Sequence, residues 1–315
     1  MLWYNILVKD ARGDAERLCH KKAKGIRGAI VTTQFMIGTF FLVAGIAYGL
    51  YMARSIWTDR EWLRNAPGNL GTVIGLEAVV YFLCTIGVSD FLLNTIICQR
   101  LKLVGPEAQP DCNITATIVP SGIIAFVYLR DSASVDGLLL VLFIVCLIIG
   151  SIVGSQVVGH MKGDIIRKAM VVFLCVTLVC LVVRMILSAG AAPTATSLGG
   201  WKLAMMGLTA FVAGFINMLG IPAKPLIATV SLLLGLSPIT TLAVTLGGLP
   251  TSCLVGGLRV MPKKNYSPKL ILSAMTAGSL AAIAGCLMAI SVNATVLNVM
   301  LLIVIAVAIV SLIKR

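Results

Sequence analysis

The sequence predicts an all-α integral membrane protein with about 9–10 membrane segments. Of its 315 residues, 59% are hydrophobic and only 12% are charged, whereas a soluble domain carries about 25% charged residues. Apolar runs long enough to cross a bilayer recur along the whole chain. Water cannot satisfy the backbone inside the lipid, so these runs must be helices. A membrane β-barrel would instead show short alternating segments, and the sequence has none.

The apolar runs fall at about 28–53, 70–101, 112–129, 136–158, 164–188, 201–236, 238–258, 267–290 and 294–313. Two of them are interrupted by residues that are disfavoured in a membrane helix. One interruption is 87–90, which begins with Gly87, and the other is 220–225, which contains Gly220, Pro222 and Pro225. Interruptions at corresponding places in two halves of a chain indicate the binding site of a transporter.

The two halves resemble each other around these helix breaks. Residues 82–89 align with 215–222, and the segment 119–121 aligns with 249–251. We therefore predict two transport repeats, with helices preceding them. The predicted parts are a basic N-terminal segment at 1–27, an extra N-terminal transmembrane helix at 28–60, the first repeat at 70–188 and the second repeat at 201–315.

Loop charges predict that the repeats are inverted. The basic loop 259–269 is expected on the cytoplasmic side and its weakly charged counterpart, 130–136, outside. The same rule predicts cytoplasmic N- and C-termini in the cell (inner) membrane, with Trp57, Trp62 and Trp201 at external ends. Parity requires that 201–236 enter and leave on one side as a hairpin. For 70–101, symmetry favours a hairpin, whereas the charge count favours a single crossing.

Lys224 is the leading candidate for substrate binding, because it stands at the start of a short helix after a break. Helix N-termini carry free N–H groups and partial positive charge, so a lysine there would complete an anion site. A structural ion pair and a side chain that reaches the headgroups are the alternatives. Asp90 occupies the corresponding break and could take up the coupling proton, pair with Lys224 or cap a helix. Glu77 is a further candidate for coupling or an ion pair.

Polar side chains near the breaks extend this candidate site. Hydroxyl and amide groups can bind an oxyanion without carrying a full charge, although most such groups in membrane helices bond to neighbouring helices. The candidates are Ser89, Asn94, Asn217, Thr229, Thr251 and Ser252.

Several classes of function are not supported. The net charge of +13 resides in the short loops and at the ends, so nucleic acid is not expected as a partner. The nine cysteines form no CxxC pair and read as small packing residues, so neither a metal nor a cofactor is expected. GxSxG, HExxH and P-loop motifs are missing, which argues against an enzyme.

Short motifs in the second half resemble the TauE/SafE sulfite exporter family. They are FVAGF at 211–215, LGLSP at 234–238, LPTS at 249–252 and GGLR at 256–259. The similarity is clearest over 201–290 and fainter over 75–188. The glycine-rich GIGGG run of the family is replaced by GVSDF at 87–91 and GIPAK at 220–224. The resemblance implies a multi-spanning carrier of sulfite, small sulfonates or carboxylates.

Together these features predict a secondary transporter of a small anion such as sulfite, thiosulfate, a sulfonate or a carboxylate. The site would lie at the midplane between the repeats and work by alternating access, with a proton or sodium as the coupling ion. A channel-like facilitator and a non-transporting assembly factor are the alternatives. The sequence leaves open the substrate, the direction, the coupling ion and the oligomeric state.

Overall fold

The computed structural model of the chain describes residues 33–105, 107–131, 135–158, 179 and 194–291. Within these ranges the protein is helical, and six helices are long and apolar enough to cross a membrane. The all-α membrane class is therefore confirmed. The basic segment 1–27 and the apolar runs 164–188 and 294–313 lie outside the described residues.

The helices are numbered here in chain order through the described ranges. They are α1 (Thr33–Thr58), α2 (Arg60–Asn65), α3 (Leu70–Thr85), α4 (Asp90–Arg100), α5 (Gln109–Asp131), α6 (Gly137–Val158), α7 (Trp201–Met218), α8 (Lys224–Leu233), α9 (Pro238–Gly248), α10 (Pro250–Val260), α11 (Pro268–Ser273) and α12 (Ser279–Ser291). A 3₁₀ turn, Met261–Lys263, follows α10, and a π-helical turn, Ala274–Gly278, joins α11 to α12.

Helices α3 and α4 form a hairpin that ends inside the membrane. Gly87 reverses the chain between them with a φ of +93°, a conformation that glycine adopts without steric penalty. The two ends of the hairpin meet, because Gly68 before α3 packs against the side chain of Leu103 after α4. The 16 residues of α3 rise about 24 Å, less than the ~30 Å hydrocarbon core. The segment 70–101 is therefore the hairpin that symmetry predicts, not a single crossing.

Helices α7 and α8 form the second hairpin, as parity predicts. Gly220 turns the chain at its tip with a φ of +76°. At the open end, Lys202 Nζ donates to Leu234 O over 3.1 Å, and Ala195 N donates to Gly235 O over 3.2 Å. Helix α8 has 10 residues and rises only about 15 Å, so it also stops within the membrane.

The two hairpins are rooted at opposite ends of the helix bundle. We call one end, formed by the loops 59–69, 101–108 and 261–267, the basic end. Its loops are joined by Lys264 Nζ, which lies 3.3 Å from Asp59 Oδ2. At the other end, called the neutral end, Ser237 N donates to Ala195 O over 2.8 Å. The first hairpin enters from the basic end and the second from the neutral end, which is the arrangement of an inverted repeat.

This arrangement contradicts one pair of orientation predictions. The loop after Trp57 was expected outside and the basic loop 259–269 inside, yet the two are in contact. The rings of Trp62 and Tyr266 stack edge to face with centroids 5.5 Å apart. The two predictions therefore cannot both hold. Helix α1 begins at the neutral end, where the Gln34 amide donates to Val135 O.

Helices α6 and α7 make the closest helix contact in the described part of the chain. A Cβ added at Gly154 would lie 2.6 Å from Phe215 O, and one added at Gly150 would overlap Phe211 O. Small residues four apart allow this approach. The contact holds the second hairpin against α6. The buried core falls into two clusters, one around α3, α5 and α11–α12 and one around α6–α8.

Candidate functional site

The tips of the two hairpins meet in an ion pair. Lys224 Nζ lies 2.6 Å from Asp90 Oδ1, and Asp90 is fully buried while Lys224 is 8% exposed. Each residue is the first of its helix, α4 or α8, directly after the break. Two residues 134 positions apart in the chain thus come together because the hairpins enter from opposite ends and stop at the same depth.

Three neighbouring side chains complete the hydrogen bonding of this pair. Thr117 Oγ1 of α5 donates to Asp90 Oδ2 over 2.7 Å, and Lys224 Nζ donates to Cys84 Sγ over 2.8 Å. The hydroxyl of Tyr81 lies 3.2 Å from Thr117 Oγ1. A buried pair is tolerated only when its remaining donors and acceptors are satisfied in this way. Both hairpins and α5 therefore contribute to one polar network.

A small cavity lies beside the ion pair. Its volume is about 20 Å³, which is room for roughly one water molecule. Its polar wall comprises Ser89, Asp90, Thr117, Ser121, Asn217 and Lys224. A polyatomic anion needs more space than this, so the structure represents a closed form of the site.

Two helix N-termini point at this cavity. Helices α4 and α8 both begin at its wall, and the first N–H groups of a helix have no partner within the helix. Ser89 precedes α4 but makes no capping bond, and its Oγ has no hydrogen-bond partner among the described residues. The positive ends of two helices, a lysine and a free hydroxyl therefore converge on one small space. Such a set of groups suits an anion.

Asn217 reaches the cavity, and Ser252 supports it from behind. The Asn217 amide donates to Ser252 Oγ over 2.9 Å, and Ser151 Oγ of α6 donates to the same oxygen over 2.9 Å. Ser252 itself does not line the cavity. Its position is that of a second layer that holds the Asn217 side chain.

The other polar candidates lie outside the cavity wall. Asn94 is buried one turn into α4, and its amide lies 3.5 Å from the Tyr81 hydroxyl. Thr229 and Thr251 are buried in α8 and α10. The structure thus divides the sequence candidates between the cavity and the surrounding helix packing.

Glu77 lies in α3, away from the cavity wall. It is fully buried, and neither carboxyl oxygen has a hydrogen-bond partner among the described residues. It is therefore not part of the Lys224–Asp90 ion pair.

Cys84 and Thr117 were missed by sequence reasoning although both bond directly to the ion pair. The alignment of the two repeats contained a signal for Cys84, because it pairs that residue with Asn217. Each stands three positions before the tip glycine of its hairpin, and each lines the cavity. Thr117 carried no comparable signal. In the described residues, no group of three potential metal ligands comes together.

A family model for the sulfite exporter TauE/SafE matches residues 104–312. The matched range includes the second hairpin with Lys224 and begins after the first hairpin with Asp90. No curated protein and no solved structure shows significant similarity to the chain. The match covers about two thirds of the sequence, and the helical architecture agrees with a multi-pass membrane protein. The chain therefore belongs to the TauE/SafE sulfite exporter family.

Proposed function

We propose that the protein is a secondary transporter of a small anion, namely sulfite, thiosulfate, a sulfonate or a carboxylate. The observation that carries the proposal is the meeting of Lys224 with the N-termini of α4 and α8 at a closed cavity. No other arrangement in the described residues places a buried cation at two helix ends.

The substrate anion would bind by replacing the Asp90 carboxylate at Lys224. In the closed form Asp90 already supplies a carboxylate 2.6 Å from the ammonium group. An oxyanion in the same place would accept hydrogen bonds from the Lys224 ammonium group, from the free N–H groups at the start of α8 and from the Ser89 hydroxyl. Asp90 then acts as an internal competitor that holds the empty site shut.

Alternating access follows from the way the hairpins are anchored. One is rooted at the basic end and the other at the neutral end, so movement of one repeat against the other would open the cavity to one end at a time. The volume of about 20 Å³ supports this mechanism over a continuous channel, which requires an open path. The two repeats, 70–188 and 201–315, are the proposed moving parts.

The basic end is proposed to face the cytoplasm of a cell (inner) membrane. Its loops carry most of the positive charge of the described residues, including Arg60, Arg64, Lys263 and Lys264, whereas the neutral end carries Arg130 and Lys202. Positive loops remain on the cytoplasmic side. This orientation places the loop after Trp57 inside. It also places the start of α1 outside, because α1 begins at the neutral end, and this conflicts with the predicted cytoplasmic location of residues 1–27.

Flux into proteoliposomes tests the proposal against a panel of sulfite, thiosulfate, sulfonates and carboxylates. Lys224→Ala should abolish both uptake and ligand-dependent thermal stabilisation. Lys263→Ala, which removes an exposed lysine outside the cavity, is the matched control and should behave like the unchanged protein. Unchanged uptake in Lys224→Ala would overturn the site assignment.

A second variant tests the competition between Asp90 and the substrate directly. Asp90→Asn keeps the shape of the side chain but removes the competing carboxylate. It should bind the anion more tightly, by tenfold or more if the competition is worth about 1.4 kcal/mol. Weaker binding by this variant would contradict the idea that Asp90 competes with substrate.

A further inference from the structure

Glu77 is a carboxyl group without a partner in the middle of α3. Its side chain is fully buried, and neither Oε1 nor Oε2 accepts a hydrogen bond from any described residue. Neither of the two ion pairs found in the described ranges includes it. Buried carboxylates in native structures are normally paired and hydrogen-bonded, so this group requires an explanation.

The groups that face Glu77 make a negative charge there unfavourable. Asp90 and Cys98 of α4 act on it electrostatically, as does Cys112 of α5. Tyr81 is its neighbour on α3.

The helices that pack on the other side of α3 supply no compensating charge. On α11, Lys269 is turned away and donates to the backbone oxygens of Ala66 and Gly68. On α12, the titratable side chain is the thiol of Cys286, which carries no positive charge. No described cation therefore offsets a charge on Glu77, and a carboxyl in such a place stays neutral by holding a proton.

A proton fits this place better than a metal ion. Hard cations are bound by several oxygen ligands. The neighbours of Glu77 on α4 and α5 are the thiols Cys98 and Cys112 and Asp90, whose two carboxyl oxygens are already held by Lys224 and Thr117. Among the residues described, no cluster of three potential metal ligands exists. The two unpartnered oxygens of Glu77 can take one proton without any further ligand.

Glu77 is also linked to the anion site through its own helix. Tyr81 follows it by four residues, so both lie on one face of α3. The Tyr81 hydroxyl contacts Thr117 Oγ1 at 3.2 Å, and Thr117 donates to Asp90. A charge on Glu77 would therefore act directly on the polar network that holds Lys224.

An irregular turn covers this part of α3. The π-helical turn Ala274–Gly278 packs against α3, and a Cβ added at Gly278 would lie 2.5 Å from Tyr81 Cδ2. Single π-helical turns within α-helices are frequent at functional sites. Gly278 of this turn is therefore in close contact with the Tyr81 ring. A movement of α3 would break this contact.

We infer that Glu77 is the proton-binding residue that couples anion movement to a proton gradient, and this inference rests on the proposed transport function. The closed form packs around Glu77 only when its carboxyl group is neutral. Each passage of the empty protein through the closed form then carries one proton on Glu77, whereas the loaded protein, in which the anion has displaced Asp90, passes without it. One proton therefore moves in the direction opposite to each anion. Asp90 remains the partner of Lys224 and the competitor of substrate.

Glu77→Gln tests this assignment in proteoliposomes, because glutamine is neutral and has nearly the same shape. The variant should keep anion-dependent thermal stabilisation and anion exchange at equal pH on both sides. It should lose accumulation driven by a pH gradient, so that the internal concentration rises no higher than the external one. Glu61→Gln, at an exposed glutamate of α2, is the matched control and should accumulate the anion normally.

Two outcomes would overturn the inference. The first is pH-gradient-driven accumulation by Glu77→Gln equal to that of the unchanged protein. The second is a loss of exchange together with accumulation, since a permanently neutral side chain should pass through the closed form. Failure of the underlying transport proposal looks different, because Lys224→Ala would then retain binding and flux whatever Glu77 does.

A chemical measurement on the unchanged chain covers a Glu77→Gln variant that does not fold. Dicyclohexylcarbodiimide is apolar and reacts with protonated carboxyl groups. The carboxyl oxygen bonds to the central carbon of the reagent, the proton moves to its nitrogen, and the adduct rearranges to a stable N-acylurea with all atoms retained. Mass spectrometry should find this adduct on Glu77, in a yield that falls as pH rises. Absence of an adduct on Glu77, or a yield independent of pH, would contradict the inference.

Discussion

The ion pair between Lys224 and Asp90 makes a quantitative prediction for the stability of the protein. Removing one partner of a buried pair costs about 3–5 kcal/mol, because the other charge stays buried without compensation. The destabilisation by Asp90→Asn should lie near the upper limit of this range, because Lys224 Nζ would keep only the weak acceptor Cys84 Sγ and the new amide as partners. The destabilisation by Lys224→Met should lie near the lower limit, because Asp90 would still accept a hydrogen bond from the hydroxyl of Thr117.

The double variant separates the pair from its surroundings. Asp90→Asn combined with Lys224→Met buries no charge, and replacing a buried pair by neutral groups of similar volume is often neutral or stabilising. We therefore expect the double variant to be within about 1 kcal/mol of the unchanged protein, well above either single variant.

Unfolding in mixed micelles, followed by circular dichroism, measures these free energies. A double-mutant cycle on the exposed Asp59–Lys264 pair is the control, and it should show little coupling. The reasoning is refuted if the two single changes at the buried pair are additive, so that the double variant is destabilised by their sum. That result would mean that the two charges do not compensate each other.

Two further predictions concern the hairpin tip and the basic end. Gly220→Ala should destabilise the protein by about 1–3 kcal/mol, because alanine is strained at a positive φ. The control is Gly75→Ala in α3, where an added Cβ meets nothing within 4 Å, and it should be close to neutral. Thermal unfolding of the two variants compares them. The backbone N–H of Trp62 and then Lys264 hold the pKa of Asp59 below its ordinary 3.8. A carboxyl group whose pKa is lower in the folded protein stabilises it at pH values above the ordinary pKa, and this stabilisation is lost as pH falls through the lowered pKa. The free energy of unfolding should therefore decline below about pH 4, and Asp59→Asn should lack this decline.

Hydropathy and glycine positions were sufficient to predict most of the architecture. The second hairpin followed from parity, and its tip glycine marks the turn. The first hairpin could not be decided, because a count of loop charges treats every long apolar run as one crossing. Only the contact between Gly68 and Leu103 shows that 70–101 returns to the end where it started. The same count placed Trp57 and the loop 259–269 on opposite sides, although the loops that contain Trp62 and Tyr266 are in contact.

The site was only partly predictable from sequence. Lys224 and Asp90 were found because a charge in an apolar run is conspicuous. Cysteine counts as an apolar residue in a hydropathy profile, so the residues around Cys84 do not predict its hydrogen bond to Lys224. Hydroxyl groups carry no such signal, because the sequence does not distinguish one that lines the cavity from one that lies elsewhere. Thr229 and Thr251 show this, since both are buried but neither lines the cavity.

The unequal chemistry of the two repeats explains how an empty carrier could stay closed. Inverted repeats place equivalent tips face to face, but here one tip carries a carboxylate and the other an ammonium group. Separating Lys224 from Asp90 without a substitute would cost about 3–5 kcal/mol. At 1.4 kcal/mol for each factor of ten, the empty open form is then about two to nearly four orders of magnitude rarer. A bound anion removes this penalty by taking the place of Asp90 at Lys224. The same ion pair that fastens the hairpins together therefore strongly disfavours opening of the empty protein, and a proton on Glu77 would be required each time the hairpins close without an anion.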